Sequence, residues 1–287
     1  MSQLLPWLEP VYERVLRLRD DNRLPNAVAL TAARGWGEER LLGALAKALL
    51  NIDDERHPAE IAHPDLRWLV PEGSVIKIDQ VRALNEFAVR TAQGNGVKVA
   101  AICDAHLLNE NAANGLLKTL EEPPAATHIL LATCHWGRLL PTVRSRCTRL
   151  AIRADTTAGL EWLATQGVQL DAQTFTEYGA APLTALQAEH HADLLEWLAL
   201  VGRDSVAAVE QAQALDDVSA WLERWYRRLN QHLQGRALPG LQAAPREIFR
   251  FVDELIDIKR QLDTTNATNV RLALERLTYG WQRLHSR

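Results

Sequence analysis

Two carboxylates stand where a phosphate-binding loop would carry its cation. The stretch Thr31-Ala32-Ala33-Arg34-Gly35-Trp36-Gly37-Glu38-Glu39-Arg40 follows an apolar run, Ala27 to Thr31, and leads into a leucine-rich helical pattern, Leu41 to Leu50. That is the strand, loop and helix frame of a phosphate loop, G-x-x-x-x-G-K-[ST], which needs glycines for close backbone approach, a lysine for the outer phosphates and a hydroxyl for magnesium. The four defining positions here are Ala32, Gly37, Glu38 and Glu39. Only the second glycine is kept, and the lysine position carries the opposite charge. At about 4 Å and an effective dielectric near ~20, one unit-charge pair is worth roughly 4 kcal/mol. Exchanging attraction for repulsion therefore removes useful ATP affinity, at about 1.4 kcal/mol per factor of ten. The alternative reading is a plain glycine turn whose Glu38 and Glu39 sit favourably in the first turn of a helix.

A second concentration of chemistry is cationic. Arg138, Arg144, Arg146, Arg149 and Arg153 surround the tripeptide Ser145-Arg146-Cys147. A guanidinium stays charged and meets phosphate bidentately, although an arginine cluster can equally be a solvated edge. Between Asn51 and His63 the residues Asp53, Asp54, Glu55, His57 and His63 offer no thiol and no paired spacing, so no metal site is expected.

The elements that must carry these groups follow from periodicity. Strand-like runs fall at 27–31, 66–70, 97–103, 127–133 and 147–152, with helical patterns between most of them, which predicts a parallel five-stranded α/β sheet flanked by helices. Val97 to Cys103 is almost wholly apolar, as in a strand covered on both faces, and ends at Asp104. Asn109 to Glu122 reads as a helix striped by Ala112, Leu116 and Leu120 and stopped by Pro123-Pro124. Beyond about Ile152 the pattern is helical, with breaks near Gln166-Gly167, Gly179 to Pro182, Gly202 and Gly235 to Pro245. The expected organisation is an α/β domain over 1–153, a small helical lid over 154–199 and a tryptophan-rich all-α domain over 200–287.

Composition narrows the classes further. No apolar run reaches the length of a membrane span, and the N-terminal residues carry no export signal. The three cysteines, Cys103, Cys134 and Cys147, lie far apart, as buried thiols do in a reducing compartment. A cytoplasmic protein is expected. Net charge is −4, so the overall field gives no grip on nucleic acid.

The segments "RLPNAVALTAARGWGEERLLGALAKALL", "HPDLRWLVPEG" with "IKIDQVRAL", "NENAANGLLKTLEEPP" and "RLLPTVRSRC" occur in this order and together resemble the bacterial clamp-loader AAA+ family. The likeness is strong over roughly residues 20 to 152 and thinner afterwards, where "NATNVRLALERLTYGW" still fits. It implies that Asp104 ends a Walker B strand whose second acid is missing, since Ala105 and His106 follow, and that Thr133 falls at the polar position facing the γ-phosphate. It also implies that the lid motif Gly179 to Leu186 has Leu183 where a basic residue is expected. Arg146, with Ser145 and Cys147 as its motif neighbours, is then an arginine finger acting in trans on a neighbouring subunit. The helix 109–122 offers small residues (Ala112, Ala113, Gly115) and the polar residues Asn114, Lys118 and Glu121 to an interface, while its leucine stripe reads equally as core on another face.

The four cysteines with which many family members hold a structural zinc are absent, so neither cofactor nor metal is expected. The implied partners are ATP-hydrolysing gamma/tau-type subunits and a delta subunit, with the sliding clamp and primer-template DNA reached indirectly. Residues 200–287 would form the collar through which such rings assemble. Two rivals remain open at this stage: an active ATPase or nucleotide kinase with an unusual loop, and a helical DNA-binding protein using Arg224, Arg227, Arg228 and Arg236.

Overall fold

The structure is a computed structural model, and it describes residues 4–94, 96–188, 193–215, 217–264 and 269–285. Asn266 to Thr268, which open the C-terminal motif, lie outside the described residues. The chain divides into two compact units, Met1–Trp162 and Leu163–Arg287.

The first unit is built on five strands, β1 (Ala27–Thr31), β2 (Leu66–Leu69), β3 (Lys98–Ile102), β4 (Thr127–Thr133) and β5 (Thr148–Ala151), with α1 (Glu9–Asp20), α2 (Glu38–Leu50), α3 (Ile78–Val89), α4 (Glu110–Glu121) and the single turn α5 (Pro141–Arg144) between or before them. The sheet order is β2-β3-β4-β1-β5 and all pairings are parallel. The predicted sheet is thus present, with strand ends moved by a residue at most. Every residue of β1 and β3 is buried, as covering both faces of a parallel sheet requires.

The exception to the apolar reading of β3 is Lys98, 3% exposed. Its ammonium donates to the carbonyls of Phe87, Ala88 and Arg90 at the end of α3 and lies over the Phe87 ring. A buried cation is tolerated there because it satisfies carbonyls that the helix leaves without partners. Burial still pulls its pKa below the ordinary lysine value.

Helix α4 packs on α3, and this decides the role of its small residues. Ala112 and Ala113 are buried in the unit's own core. A side chain at Gly115 would meet Ile78 Cδ1 at 2.5 Å, and Asn85 donates to the Gly115 carbonyl (2.8 Å). The small residues expected to admit another subunit are therefore used inside the chain, where α3 and α4 approach closely. The face left outward carries Asn114, Lys118 and Glu121, spaced at four and seven residues and so on one side of a helix.

Helix α6 (Thr156–Thr165) runs across the division between units. The second unit is all helix: α7 (Ala172–Glu177), α8 (Pro182–Ala188), α9 (Leu194–Arg203), α10 (Ser205–Gln213), α11 (Val218–Leu233), α12 (Pro245–Thr264) and α13 (Val270–His285). One core holds Trp197, Trp221, Trp225, Phe251 and Trp281, with Trp225 and Trp281 at 5.5 Å in edge contact. Trp197 lies in α9, so the boundary expected near residue 199 falls inside a helix that shares this core. The division expected after residue 153 lies nine residues ahead of the observed one.

Candidate functional site

In a parallel sheet, ligands are received in the crevice outside the carboxyl ends of the strands. The suspected phosphate loop follows β1, Asp104 follows β3 by two residues, and Thr133 ends β4. All three therefore meet at that edge.

The loop has the backbone of its type. Gly35 and Gly37 take φ of +78° and +86°, conformations that only glycine adopts without strain, and Gly37 caps α2 with no side-chain bond. Between them Trp36 turns inward. It is 1% exposed, its carbonyl accepts from the Trp7 indole N–H (2.8 Å), and its ring meets Trp7 edge-on at 5.2 Å. Trp7 in turn packs edge-on against Trp162 at 5.5 Å. The loop is thus pinned from beneath by a stack of indoles.

Glu38 and Glu39 open α2. Burial raises the Glu38 pKa above the carboxylate norm, its own backbone N–H opposes this, and the negative charges of Asp104 and Glu39 push it further up. The Glu39 carboxylate lies 3.8 Å from His57 Nε2, and burial, above all, with the Glu39 charge adding to it, drives the pKa of the Cys103 thiol well upward. The N-terminus of α2, where unpaired N–H groups and the helix dipole would hold a phosphate, already carries the chain's own anions.

Asp104 sits in the left-handed region at φ +45° with its carboxylate half exposed and 3.9 Å from His106 Nδ1. Thr133 is fully buried. Its hydroxyl accepts from the His135 backbone N–H (3.0 Å) and meets His106 Nδ1 (3.2 Å). It is tied by backbone, as its strand-end position suggests, and also by an imidazole that spacing alone did not reveal. Leu183 is half-buried in α8.

The arginine motif occupies the other edge of the sheet. Thr148 opens β5 level with Val28 near the start of β1, and Arg146 precedes it, at the amino ends of the strands. A strand of five residues spans about 16 Å, so Arg146 cannot reach its own chain's loop. Its guanidinium donates to the Glu121 carboxylate through Nε (2.6 Å) and Nη2, and to the Thr142 carbonyl (2.8 Å) and the Ser145 hydroxyl (3.2 Å) through Nη1. Glu121 ends α4, so the "LLKTLEEPP" and "SRC" segments meet here. Glu121, expected to pair across an interface, has this internal partner, whereas Asn114 and Lys118 are exposed. Arg149 donates to the Thr31 hydroxyl (3.1 Å) and stacks on Trp136. Cys147 is half-buried, and burial lifts its thiol to about 11.

The arginines suspected of touching DNA are spent internally. Arg224 and Arg228, 8% and 3% exposed, converge with Arg236 on the buried Glu177 at 3.7, 3.6 and 3.1 Å. Arg228 also donates to the Arg236 and Ala237 carbonyls (2.9 and 2.7 Å), and Arg227 pairs with Glu223 (3.2 Å). Among the described residues no helix is long and apolar enough to cross a membrane.

The strand order, the carboxyl-edge loop and the helical unit that follows define an α/β protein of AAA+ type. A gamma subunit-related protein of DNA polymerase III from Thermotoga maritima shares this fold, at a TM-score of 0.54 and 16% identity over 97% of this chain and 99% of that one. Residues 8–156 match the model of the family described as DNA polymerase III, delta subunit, and the chain belongs to that family. Similar proteins named DNA polymerase III subunit delta' include one from Haemophilus influenzae, 35% identical over 65% of this chain and 62% of its own length. Others come from Escherichia coli, 38% identical over 50% and 46%, and from Pseudomonas aeruginosa, 38% identical over 54% and 52%. The chain thus spans about half to three-fifths of the length of these curated relatives.

Proposed function

We propose that this chain acts as a delta-prime-like subunit of the DNA polymerase III clamp loader, binds no ATP itself, and lends Arg146 to the ATP site of a neighbouring subunit during loading of the sliding clamp in DNA replication. The names of its relatives supply the assembly. One observation carries the residue assignment: the arginine stands on the opposite edge of the sheet from the chain's own carboxylate-filled loop. A guanidinium placed there serves a pocket belonging to another molecule, where it would stabilise charge developing on a transferring phosphoryl group.

The neighbouring ATPase would be a gamma/tau-type subunit, with a delta subunit in the same assembly and the clamp and primer-template DNA met through the complex. Asn114 and Lys118, exposed on α4 beside Glu121, would line the border near Arg146. Helices α6 to α8 would serve as the lid, and α9 to α13, which share the tryptophan core, as the collar holding the ring together. The rival reading as an ATPase or kinase finds a glutamate, Glu38, at the lysine position of the loop, with Arg34 as a cation elsewhere in it, and the DNA-binding reading finds its arginines paired within the chain.

Reconstitution with partner subunits tests this directly. Arg146→Ala should lower ATP turnover at the site it completes by on the order of 10³-fold while the complex still assembles, and the wild-type chain alone should bind no ATP at equilibrium. Unchanged turnover in the variant complex would sink the finger, and ATP held by the isolated chain would sink the silent pocket.

A further inference from the structure

The crevice at the carboxyl edge contains a cluster that neither the phosphate frame nor the arginine explains. His106 lies in the turn Ala105–Leu107 after β3, and Cys134 and His135 follow β4 directly. One ligand atom from each of the three lies within 4.8 Å of the others. We propose that His106, Cys134 and His135 form a binding site for a borderline-soft divalent transition-metal ion of the zinc type, bridging the ends of β3 and β4.

The donor set suits that class of ion. Two imidazoles and one thiolate match the mixed nitrogen and sulfur sets preferred by zinc, and exclude magnesium and calcium, which take oxygen ligands. Tetrahedral zinc, at about 2.0–2.3 Å from each donor, separates its ligands by roughly 3.3–3.7 Å, so closure asks for about an ångström of movement. The two rings stand edge-on at 4.9 Å, and the Thr133 hydroxyl restrains His106 through Nδ1, the kind of outer contact that orients metal-bound imidazoles. Asp104 lies beyond, 3.9 Å from the same nitrogen.

Burial and charged neighbours act on all three donors. Burial holds both imidazoles below the ordinary histidine pKa, with Arg34 and Arg138 adding to the effect and Asp104 opposing it. Burial, and then the charges of Glu38 and Asp104, raise the Cys134 thiol to about 11, against a lowering by Arg34. Binding must displace that proton, as it does at any thiolate site.

The site is independent of the arginine reading, because it involves neither Arg146 nor a partner subunit. The full chain, stripped with a chelator, is titrated with cobalt(II) and then zinc(II). One cobalt per chain should bind with a thiolate-to-cobalt charge-transfer band, and zinc should displace it. Cys134→Ser should abolish the band, His106→Ala and His135→Ala should each weaken binding by on the order of 10²-fold, and Cys147→Ser should leave band and affinity intact. A wild-type chain without the band, a band surviving Cys134→Ser, or a band lost in Cys147→Ser would each overturn the proposal.

Discussion

The two edges of the sheet in the first unit are built to opposite ends. At the carboxyl edge the loop keeps the glycine backbone of a phosphate site, yet Trp36 is sunk beneath it and Glu38, Glu39 and Asp104 fill the crevice with negative charge. At the amino edge a guanidinium is held in place by Glu121, Thr142 and Ser145 and left about a third exposed. One edge gathers carboxylates and the other presents a guanidinium. The turn itself depends on Gly35 and Gly37 at positive φ, whatever side chains follow it.

The sharpest way to break this contrast is at Trp36. Its ring is fully buried among Trp7 and its neighbours, so Trp36→Ala should cost about 3–5 kcal/mol of stability by the transfer and cavity terms, read as a lowered denaturation midpoint. A loss below about 1 kcal/mol would mean that the loop does not depend on its indole anchor. At the other edge, Glu121→Ala removes the carboxylate from Arg146 but leaves the Thr142 and Ser145 contacts. A half-exposed ion pair is worth up to about 1 kcal/mol, so turnover in the reconstituted complex should fall by less than tenfold. A loss as deep as that of Arg146→Ala would assign Glu121 a direct part.

The smallest effect is expected from Glu38→Gln. A carboxyl whose folded pKa is raised binds more protons folded than unfolded, so it removes stability as pH rises from 4.5 through its folded value. The amide should therefore stabilise the chain at pH 7 and leave stability at pH 4 unchanged. Denaturant midpoints at the two pH values would measure it, and destabilisation at pH 7 would reverse the sign assigned to this charge.

Much of this was legible in the sequence. Apolar runs marked β1, β3 and β4 most clearly, because strands buried on both faces leave little room for polar residues, whereas the outer strands β2 and β5 are partly exposed and carry Arg67 and Arg149; the absence of the lysine and hydroxyl could be read from spacing within the loop. Lys98 escaped that reading, since a cation inside an apolar strand is recognisable only once the carbonyl ends of α3 are seen around it. The small residues of α4 were read as an opening for a partner because composition does not say which face a neighbouring helix covers. The grouping of His106 with Cys134 and His135, and of Glu121 with Arg146, joins positions more than twenty residues apart, which periodicity cannot bring together. Strand order decided which edge each group occupies.

The salt link between Glu121 and Arg146 has a consequence for how such an arginine is used. On the proposed function, a guanidinium withdrawn from its carboxylate and offered to a triphosphate would trade one anion for another and need never cross a poorly solvated border unaccompanied. Its geometry is fixed beforehand by the resting partner, so little rotational freedom remains to be surrendered when the second partner arrives. The same exchange would run backwards once the phosphate leaves, which would make the carboxylate a parking place with its own restoring force.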